Sequence, residues 1–132
     1  TAYEIGVRLV GSEMCIRDSI TSVDLFSTFL NVAGQTIQES HDSQTFLPLL
    51  TSAGAATRNF NYTEYLTDRA SQSGYTLQNI THKLIVFDNG NEALYSLEND
   101  PYENENLLDA SLTSVAQNAY NALTTEAARI RQ

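Results

Sequence analysis

The sequence predicts an α+β fold, in which a small antiparallel sheet of about four strands carries a packed C-terminal helix and follows a separate helix. Three observations predict it. Short segments rich in aromatic and β-branched residues follow one another between residues 60 and 97, with turn residues between them. Apolar residues recur at helical spacing after residue 111, and again between residues 23 and 33.

Composition limits the classes of function. The chain has 132 residues, a net charge of −9 and 42% hydrophobic residues, which suits one folded domain or part of one. Seven basic side chains spread over the whole chain argue against a nucleic-acid partner. No apolar run approaches the roughly twenty residues of a membrane span. Cys15 is the only cysteine, which excludes an internal disulfide and a cysteine-rich zinc site.

The first predicted helix runs from Val23 to Ala33, with Ser22 as its N-cap and Gly34 as its left-handed stop. Its apolar residues cover about half of the helical circumference, which is wider than the stripe of an ordinary surface helix. Such a helix needs cover on two sides, and we expect its large apolar side chains to stay exposed in this chain alone.

A polar loop at residues 35–43 leads to a short helical segment at residues 46–50. A second polar loop at residues 51–59 leads to four strands. Residues 83–87 are apolar on both faces and are predicted to form the most buried strand. The residues DNGN at 88–91 predict a hairpin turn. The predicted strands are residues 60–66, 75–79, 83–87 and 93–97.

After Pro101 turns the chain out of the sheet, a final helix of about twenty residues is predicted, with Asp109 or Ser111 as its cap. We expect it to lie across the sheet. Its apolar stripe consists of Leu112, Val115, Ala116, Ala119, Tyr120, Leu123, Ala127 and Ile130.

Four segments, in this order and spacing, resemble the sulfatase family of the alkaline phosphatase-like superfamily. VDLFSTFL followed by AG resembles the family's VDLFPTLL helix, and DSQTFLPLL resembles its DGxSLLPLL turn. HKLI resembles the yKLI strand, and LYSLENDPYENENL resembles the C-terminal signature ELYDLxxDPxExxNL. The segments start at residues 23, 42, 82 and 94. Among the departures from the family pattern, Ser27 replaces the usual proline, Ser43 the usual glycine and Ser96 the usual aspartate.

The resemblance implies that residues 20–58 end an alkaline phosphatase-like domain and that residues 59–132 form the sulfatase C-terminal subdomain. In the family, a formylglycine made within a C/S-x-P-x-R motif is the nucleophile, and a divalent cation, usually calcium, is held by carboxylates and an amide. These groups lie upstream of the VDLFPTLL helix. No C/S-x-P-x-R motif occurs in this sequence, so the resemblance assigns no catalytic, cofactor-binding or metal-binding residue here.

The beginning of the chain differs from the rest. Residues 3–19, which end in GSEMCIRDS, closely resemble a linker-derived peptide that recurs at the ends of reading frames in assembled environmental DNA. We therefore expect residues 1–19 to be a non-native or disordered leader and exclude them from the fold. The alternative is a native strand with a hairpin at Gly11.

Other candidate sites are weaker. His41, Asp42 and Ser43 have the residue types of a hydrolase triad, but adjacent residues rarely converge, and no G-x-S-x-G elbow is present. The segment starting at Asp88 faintly suggests a calcium loop, but it lacks the glycine at loop position six and the bidentate glutamate at position twelve, so a hairpin turn is favoured. His82 is expected at a strand end. The acidic residues from Glu98 to Asp109 are expected to form a solvated face. Residues 61–63 and 79–81 fit the N-glycosylation pattern, but both sit in predicted strands.

The first functional hypothesis is the C-terminal part of a sulfatase, catalytically incomplete by itself. The resemblance implies a missing N-terminal catalytic domain as partner, a sulfated carbohydrate or small organic sulfate as the parent's substrate, and a periplasmic or extracellular parent. One lysine, Lys83, and a charge of −9 do not suit a freestanding sulfate pocket. The alternatives are a freestanding acidic α+β interaction module, and a phosphodiesterase or phosphonate hydrolase of the same superfamily.

Overall fold

The structure is a computed structural model that describes residues 20–36, 42–51, 58–69 and 72–132. It divides into two compact units, residues 1–59 and 60–132. In the first unit, helix α1 spans Asp24–Val32 and the short helix α2 spans Leu47–Thr51, as predicted. The leader at residues 1–19 and the side chain of His41 lie outside the described residues, so both expectations stay predictions.

The start of α1 differs from the prediction. Ser22 does not cap the helix, and the N-cap position is occupied by Val23 without a side-chain hydrogen bond. Instead, the Asp24 carboxylate accepts hydrogen bonds from the backbone N–H and the hydroxyl of Thr21. The side chain thus reaches back to an N–H group three residues earlier, as in one half of a capping box. Gly34 ends the helix with φ 69°, as predicted.

The burial pattern of α1 is the reverse of that of an ordinary surface helix. Its buried side chains are the polar ones, Asp24, Ser27 and Thr28. Apart from Asn31, its exposed side chains are apolar and include Leu25, Phe29 and Val32, and the N-cap residue Val23 is exposed as well. The expected exposed apolar surface on this helix is therefore confirmed.

The second unit contains the predicted four-stranded antiparallel meander, with strand order β1-β2-β3-β4. Register places Leu77 opposite Leu84 and Leu84 opposite Leu94, so these three side chains share one face. The hairpin turn follows at residues 88–91, where Gly90 has φ 87°. The strands are β1 Asn61–Tyr65, β2 Gly74–Gln78, β3 His82–Phe87 and β4 Glu92–Ser96.

The prediction that residues 83–87 form the most buried strand is wrong. β3 is an inner strand, but Ile85, Val86 and Phe87 are only half-buried, whereas three of the five residues of β4 are buried. A continuous apolar run indicates cover on both faces, and the described residues of this unit place a helix on one face only.

The C-terminal region begins with a 3-10 helix, Leu107–Asp109, and continues with helix α3, Ser114–Ile130. The predicted caps Asp109 and Ser111 are wrong, because the Thr113 side chain accepts the hydrogen bond from the Ala116 N–H and starts α3. As expected, α3 lies against β2 and β3. Val115 departs from the predicted buried stripe, since 68% of it is exposed.

The core of this unit lies between α3 and one face of the sheet. In it, Leu77, Leu84 and Leu94 of the sheet pack against the buried residues of α3, which are Ala116, Leu123 and Ala127. Arg131, just beyond α3, places its guanidinium 4.4 Å from the centre of the Tyr75 ring and donates a hydrogen bond to Glu64.

Within the described ranges, no helix combines the length and the apolarity needed to cross a bilayer.

Candidate functional site

Asp24 is the centre of a buried polar cluster in the first unit. One carboxylate oxygen accepts hydrogen bonds from Thr21, and the other accepts them from the Gln44 N–H at 2.9 Å and from the Arg58 guanidinium. Arg58 also donates to the backbone carbonyl of Asp42 at 2.6 Å. The carboxylate therefore joins the start of α1 to the segment beginning at Asp42 and to a residue 34 positions further along the chain.

The electrostatics of Asp24 follow from these contacts. Burial by itself raises the pKa of this carboxyl, but the hydrogen bonds from Gln44, Arg58 and Thr21, with the charge of Arg58, outweigh it and lower the pKa below its ordinary value. The side chain is thus held ionised and fully paired. This is the arrangement of a structural ion pair rather than of a general acid or base.

Ser27 and Ser43 form a reciprocal pair of buried hydrogen bonds. The Ser27 N–H donates to the Ser43 hydroxyl at 3.0 Å, and the Ser27 hydroxyl donates to the Ser43 carbonyl at 3.0 Å. The sequence departs from the sulfatase pattern at both of these positions. A proline at 27 has no N–H to satisfy and a glycine at 43 has no hydroxyl to supply, so each serine compensates for the other.

We expect the Ser27–Ser43 pair to show strong energetic coupling. Ser43→Gly alone leaves the buried Ser27 N–H unsatisfied and should destabilise α1 by about 1–3 kcal/mol. Adding Ser27→Pro removes that donor, so the double variant should be more stable than Ser43→Gly. Native-state hydrogen exchange of the α1 amides measures both. Ser22→Ala is the control, since Ser22 is exposed and does not cap the helix. Additive effects of the two substitutions would contradict the pairing.

The signature loop after β4 is held by internal contacts. Lys83 makes two bonds to the Glu103 carboxylate, at 2.8 and 2.9 Å, and Glu103 has φ 58°, a conformation that few non-glycine residues adopt. Asp100 accepts hydrogen bonds from the Glu105 N–H at 2.8 Å and the Asn104 amide at 3.1 Å. The hydrogen bond from Glu105 is the main cause of the lowered pKa of Asp100. Lys83 is therefore neutralised by a carboxylate.

Asn106 completes this loop. Its side-chain oxygen accepts hydrogen bonds from the Leu94 N–H of β4 at 2.9 Å and from the Leu108 N–H at 3.1 Å, and its amide donates to Asp109. One side chain thus caps the 3-10 helix and occupies a donor on the free edge of the sheet. The signature residues Asp100, Glu103 and Asn106 act as a structural clamp.

Two acidic residues of this loop are engaged by other groups of the protein. Glu103 is paired with Lys83, and the Asp100 carboxylate accepts protein hydrogen bonds. Throughout the part of the chain that the structure describes, no group of three or more His, Cys, Asp or Glu side chains could hold a metal ion. Asp88 and Asn89 lie in the hairpin turn, where Asn89 accepts a hydrogen bond from the Asn91 N–H, in agreement with the predicted turn.

His82 is the first residue of β3, at the strand end where it was expected, and is buried. Its Nδ1 lies 2.9 Å from the Thr81 hydroxyl. Burial lowers the pKa of this imidazole, and the charge of Glu98 opposes the effect only in part. His82 is therefore a neutral side chain at the sheet end.

The other candidates from the sequence are the hydrolase-triad residue types at 41–43 and the two N-glycosylation patterns. Asp42 is exposed, whereas the buried Ser43 hydroxyl is engaged by Ser27, so these two residues do not form a nucleophile site. Asn61 lies within β1, as predicted. Asn79 lies in the turn between β2 and β3 rather than in a strand, and its side-chain oxygen accepts hydrogen bonds from Thr81 and His82.

Sequence reasoning missed Arg58 and Asn106. Arg58 stands in a polar segment without periodicity, and nothing in the pattern relates it to Asp24. Asn106 belongs to a recognised motif, and its position just before an apolar pair was a usable signal for a cap.

Solved structures of other proteins share this fold, and two of them are described here. One is a candidate sulfatase from Bacteroides thetaiotaomicron VPI-5482, with a TM-score of 0.65 and 20% identity. The other was solved in complex with its substrate D-glucosamine-2-N,6-O-disulfate and has a TM-score of 0.66 and 25% identity. Each match covers 78% of this chain but only 23% of the other, so this chain spans about a quarter of their length. The fold is thus that of a part of sulfatase-like proteins.

The family model of N-sulphoglucosamine sulphohydrolase, C-terminal, matches residues 8–130. The chain belongs to that family, which confirms the resemblance to sulfatases. A comparison with curated proteins finds no match.

Proposed function

We propose that this chain is the C-terminal part of a sulfatase-like hydrolase and is catalytically incomplete by itself. The observation that carries the proposal is the family match over residues 8–130, a family described as the C-terminal part of a sulphohydrolase. In the proposal the parent cleaves a sulfate ester of a sulfated carbohydrate or a small organic sulfate. One of the similar structures contains a sulfated glucosamine as its substrate.

The chemistry of the described side chains supports the incompleteness. Hydrolysis of a sulfate ester needs cations or oriented donors around the developing negative charge. Here the only lysine, Lys83, is paired with Glu103, and Arg58 is paired with Asp24. Both cations are thus engaged in ion pairs with carboxylates of this chain. The role left to this chain is to complete the fold of the parent and to form one wall of its substrate cleft.

The calcium ion and formylglycine of the family do not fit the residues present. The sequence has no C/S-x-P-x-R motif for the formylglycine, and the described residues provide no cluster of carboxylates for a metal. In the proposal both groups belong to an upstream catalytic domain, and the parent acts in the periplasm or outside the cell.

The test compares this chain with the polypeptide obtained by extending its reading frame upstream. With calcium present, we expect no turnover of an aryl sulfate by the chain itself, and turnover by the extended polypeptide, which should contain a C/S-x-P-x-R motif. Turnover by the short chain that survives replacement of His41 and His82 would overturn the assigned place of the chemistry. An extended polypeptide with a threonine nucleophile that cleaves phosphodiesters instead would overturn the sulfatase assignment.

A further inference from the structure

Helix α1 presents opposite chemistry on its two sides. At about 100° per residue, Asp24, Ser27 and Thr28 lie within an arc of roughly 100°. Hydrogen bonds inside the first unit satisfy this polar arc: Thr28 donates to the Asp24 carbonyl and accepts from the Phe46 N–H. The polar side of the helix is therefore the side that faces its own unit.

The other side of α1 is apolar and exposed. Val23, Leu25, Phe29 and Val32 lie on the half of the helix opposite the polar arc, and 66% of Phe29 and 65% of Val32 are exposed. Large contiguous apolar surfaces on soluble proteins mark sites that are covered by another structure. These four apolar residues span about 180° of the helix surface, which is wider than the stripe of about 100° that packing against one layer requires.

We infer that this apolar face of α1, consisting of Val23, Leu25, Phe29 and Val32, is the docking surface for an apolar layer of the upstream, catalytic part of the same polypeptide. The inference rests on the proposed function. The solved structures that share the fold are about four times as long as the matched region, since the match covers 23% of each. The family name places the match at the C-terminal end of such proteins. The upstream part of the polypeptide is therefore the partner for this face that the comparisons support.

The chemistry of the helix argues against a membrane surface as occupant. Amphipathic helices that lie on membranes carry lysine and arginine on a solvated polar face. α1 contains no basic residue, its polar face is buried, and the chain has a net charge of −9. The same charge opposes close approach of a second copy.

The chain offers a matched pair of variants. Val32→Glu and Val115→Glu make the same chemical change at sites of equal exposure, 65% and 68%, and only the first lies on α1. In the short chain, neither should change the hydrogen-exchange protection of the α1 amides by more than about threefold, because a charge on an exposed site costs little. Val32→Glu should also reduce binding of a hydrophobic dye.

In the upstream-extended polypeptide, the two variants should differ. Val32→Glu buries a charge in the proposed interface and should lower the protection of the α1 amides by at least about tenfold, whereas Val115→Glu should not. An equal effect of Val32→Glu in both polypeptides would overturn the inference. So would a dimer of the short chain that Val32→Glu dissociates. If Val32→Glu unfolds α1 in the short chain, Phe29→Ser, which shortens the side chain without adding charge, replaces it in the same comparison.

This readout does not depend on turnover. If the extended polypeptide protects α1 but cleaves no aryl sulfate, the docking surface holds and the proposed function fails. If it cleaves aryl sulfate and Val32→Glu leaves α1 protection unchanged, the proposed function holds and the docking surface fails.

Discussion

Replacing Leu84 by alanine is expected to lower the free energy of unfolding of the sheet and helix unit by about 3 kcal/mol, within the range of about 2–5 kcal/mol for such a truncation in a core. Leu84 is 1% exposed, lies opposite both Leu77 and Leu94, and packs under α3. The substitution removes apolar contacts and leaves a cavity that the surrounding sheet can fill only in part. Urea denaturation followed by tyrosine fluorescence measures the change, because all tyrosines except Tyr3 lie after residue 60.

Leu66→Ala is the matched control for this prediction. It makes the same chemical change at a side chain that is 80% exposed, and should change the free energy of unfolding by less than about 0.5 kcal/mol. Equal effects of the two substitutions would mean that the core does not lie between the sheet and α3.

The second large effect is expected at Asp24. Asp24→Asn removes the charge that neutralises Arg58 and should destabilise the first unit by about 3 kcal/mol, as is typical when one partner of a buried ion pair is removed. Hydrogen exchange of the α1 amides is the measurement. Asp42→Asn is the control, since Asp42 is exposed and contributes only its backbone carbonyl to Arg58.

The sign of the pH dependence follows from the lowered pKa of Asp24. The ionised carboxylate gives its full stabilisation above its ordinary, unfolded-state pKa of about 3.8, and this contribution is lost as the pH falls through the lower folded-state value. The protection of the α1 amides should therefore fall below about pH 4 in the natural sequence. A comparable fall in Asp24→Asn would show that another group causes it.

The sequence predicted the elements well because their patterns are local. The four strands are short alternating, aromatic-rich or apolar segments bounded by turn residues, and α3 carries a period of 3.6. Each was found within a few residues of its prediction. The caps were less predictable. Ser22, Asp109 and Ser111 are good capping types, but Ala110 and Thr113 have extended backbones and Thr113 becomes the N-cap of α3.

For the candidate site, the sequence assigned no catalytic or metal-binding residue, and this assignment stays a prediction. The missing C/S-x-P-x-R motif can be read from the chain, and so can the sulfatase signature. The bonds from Lys83 to Glu103 and from the Leu94 N–H to Asn106 could not be read, because they depend on how the loop folds back on β3 and β4. The pairing of Ser27 with Ser43 likewise cannot be read from the sequence, because the two residues stand 16 positions apart and meet only in the folded chain.

The sequence by itself determined the α+β class, the order of the elements, the apolar surplus of the first helix and the family. Periodicity and motif order are properties of neighbouring residues, and they survive without knowledge of the packing. Only the tertiary structure decided which side of α1 is buried. Hydrogen bonds from distant residues, Gln44 and Arg58 to Asp24, satisfy the polar side there, and burying those groups unpaired would cost more than leaving the apolar side in water.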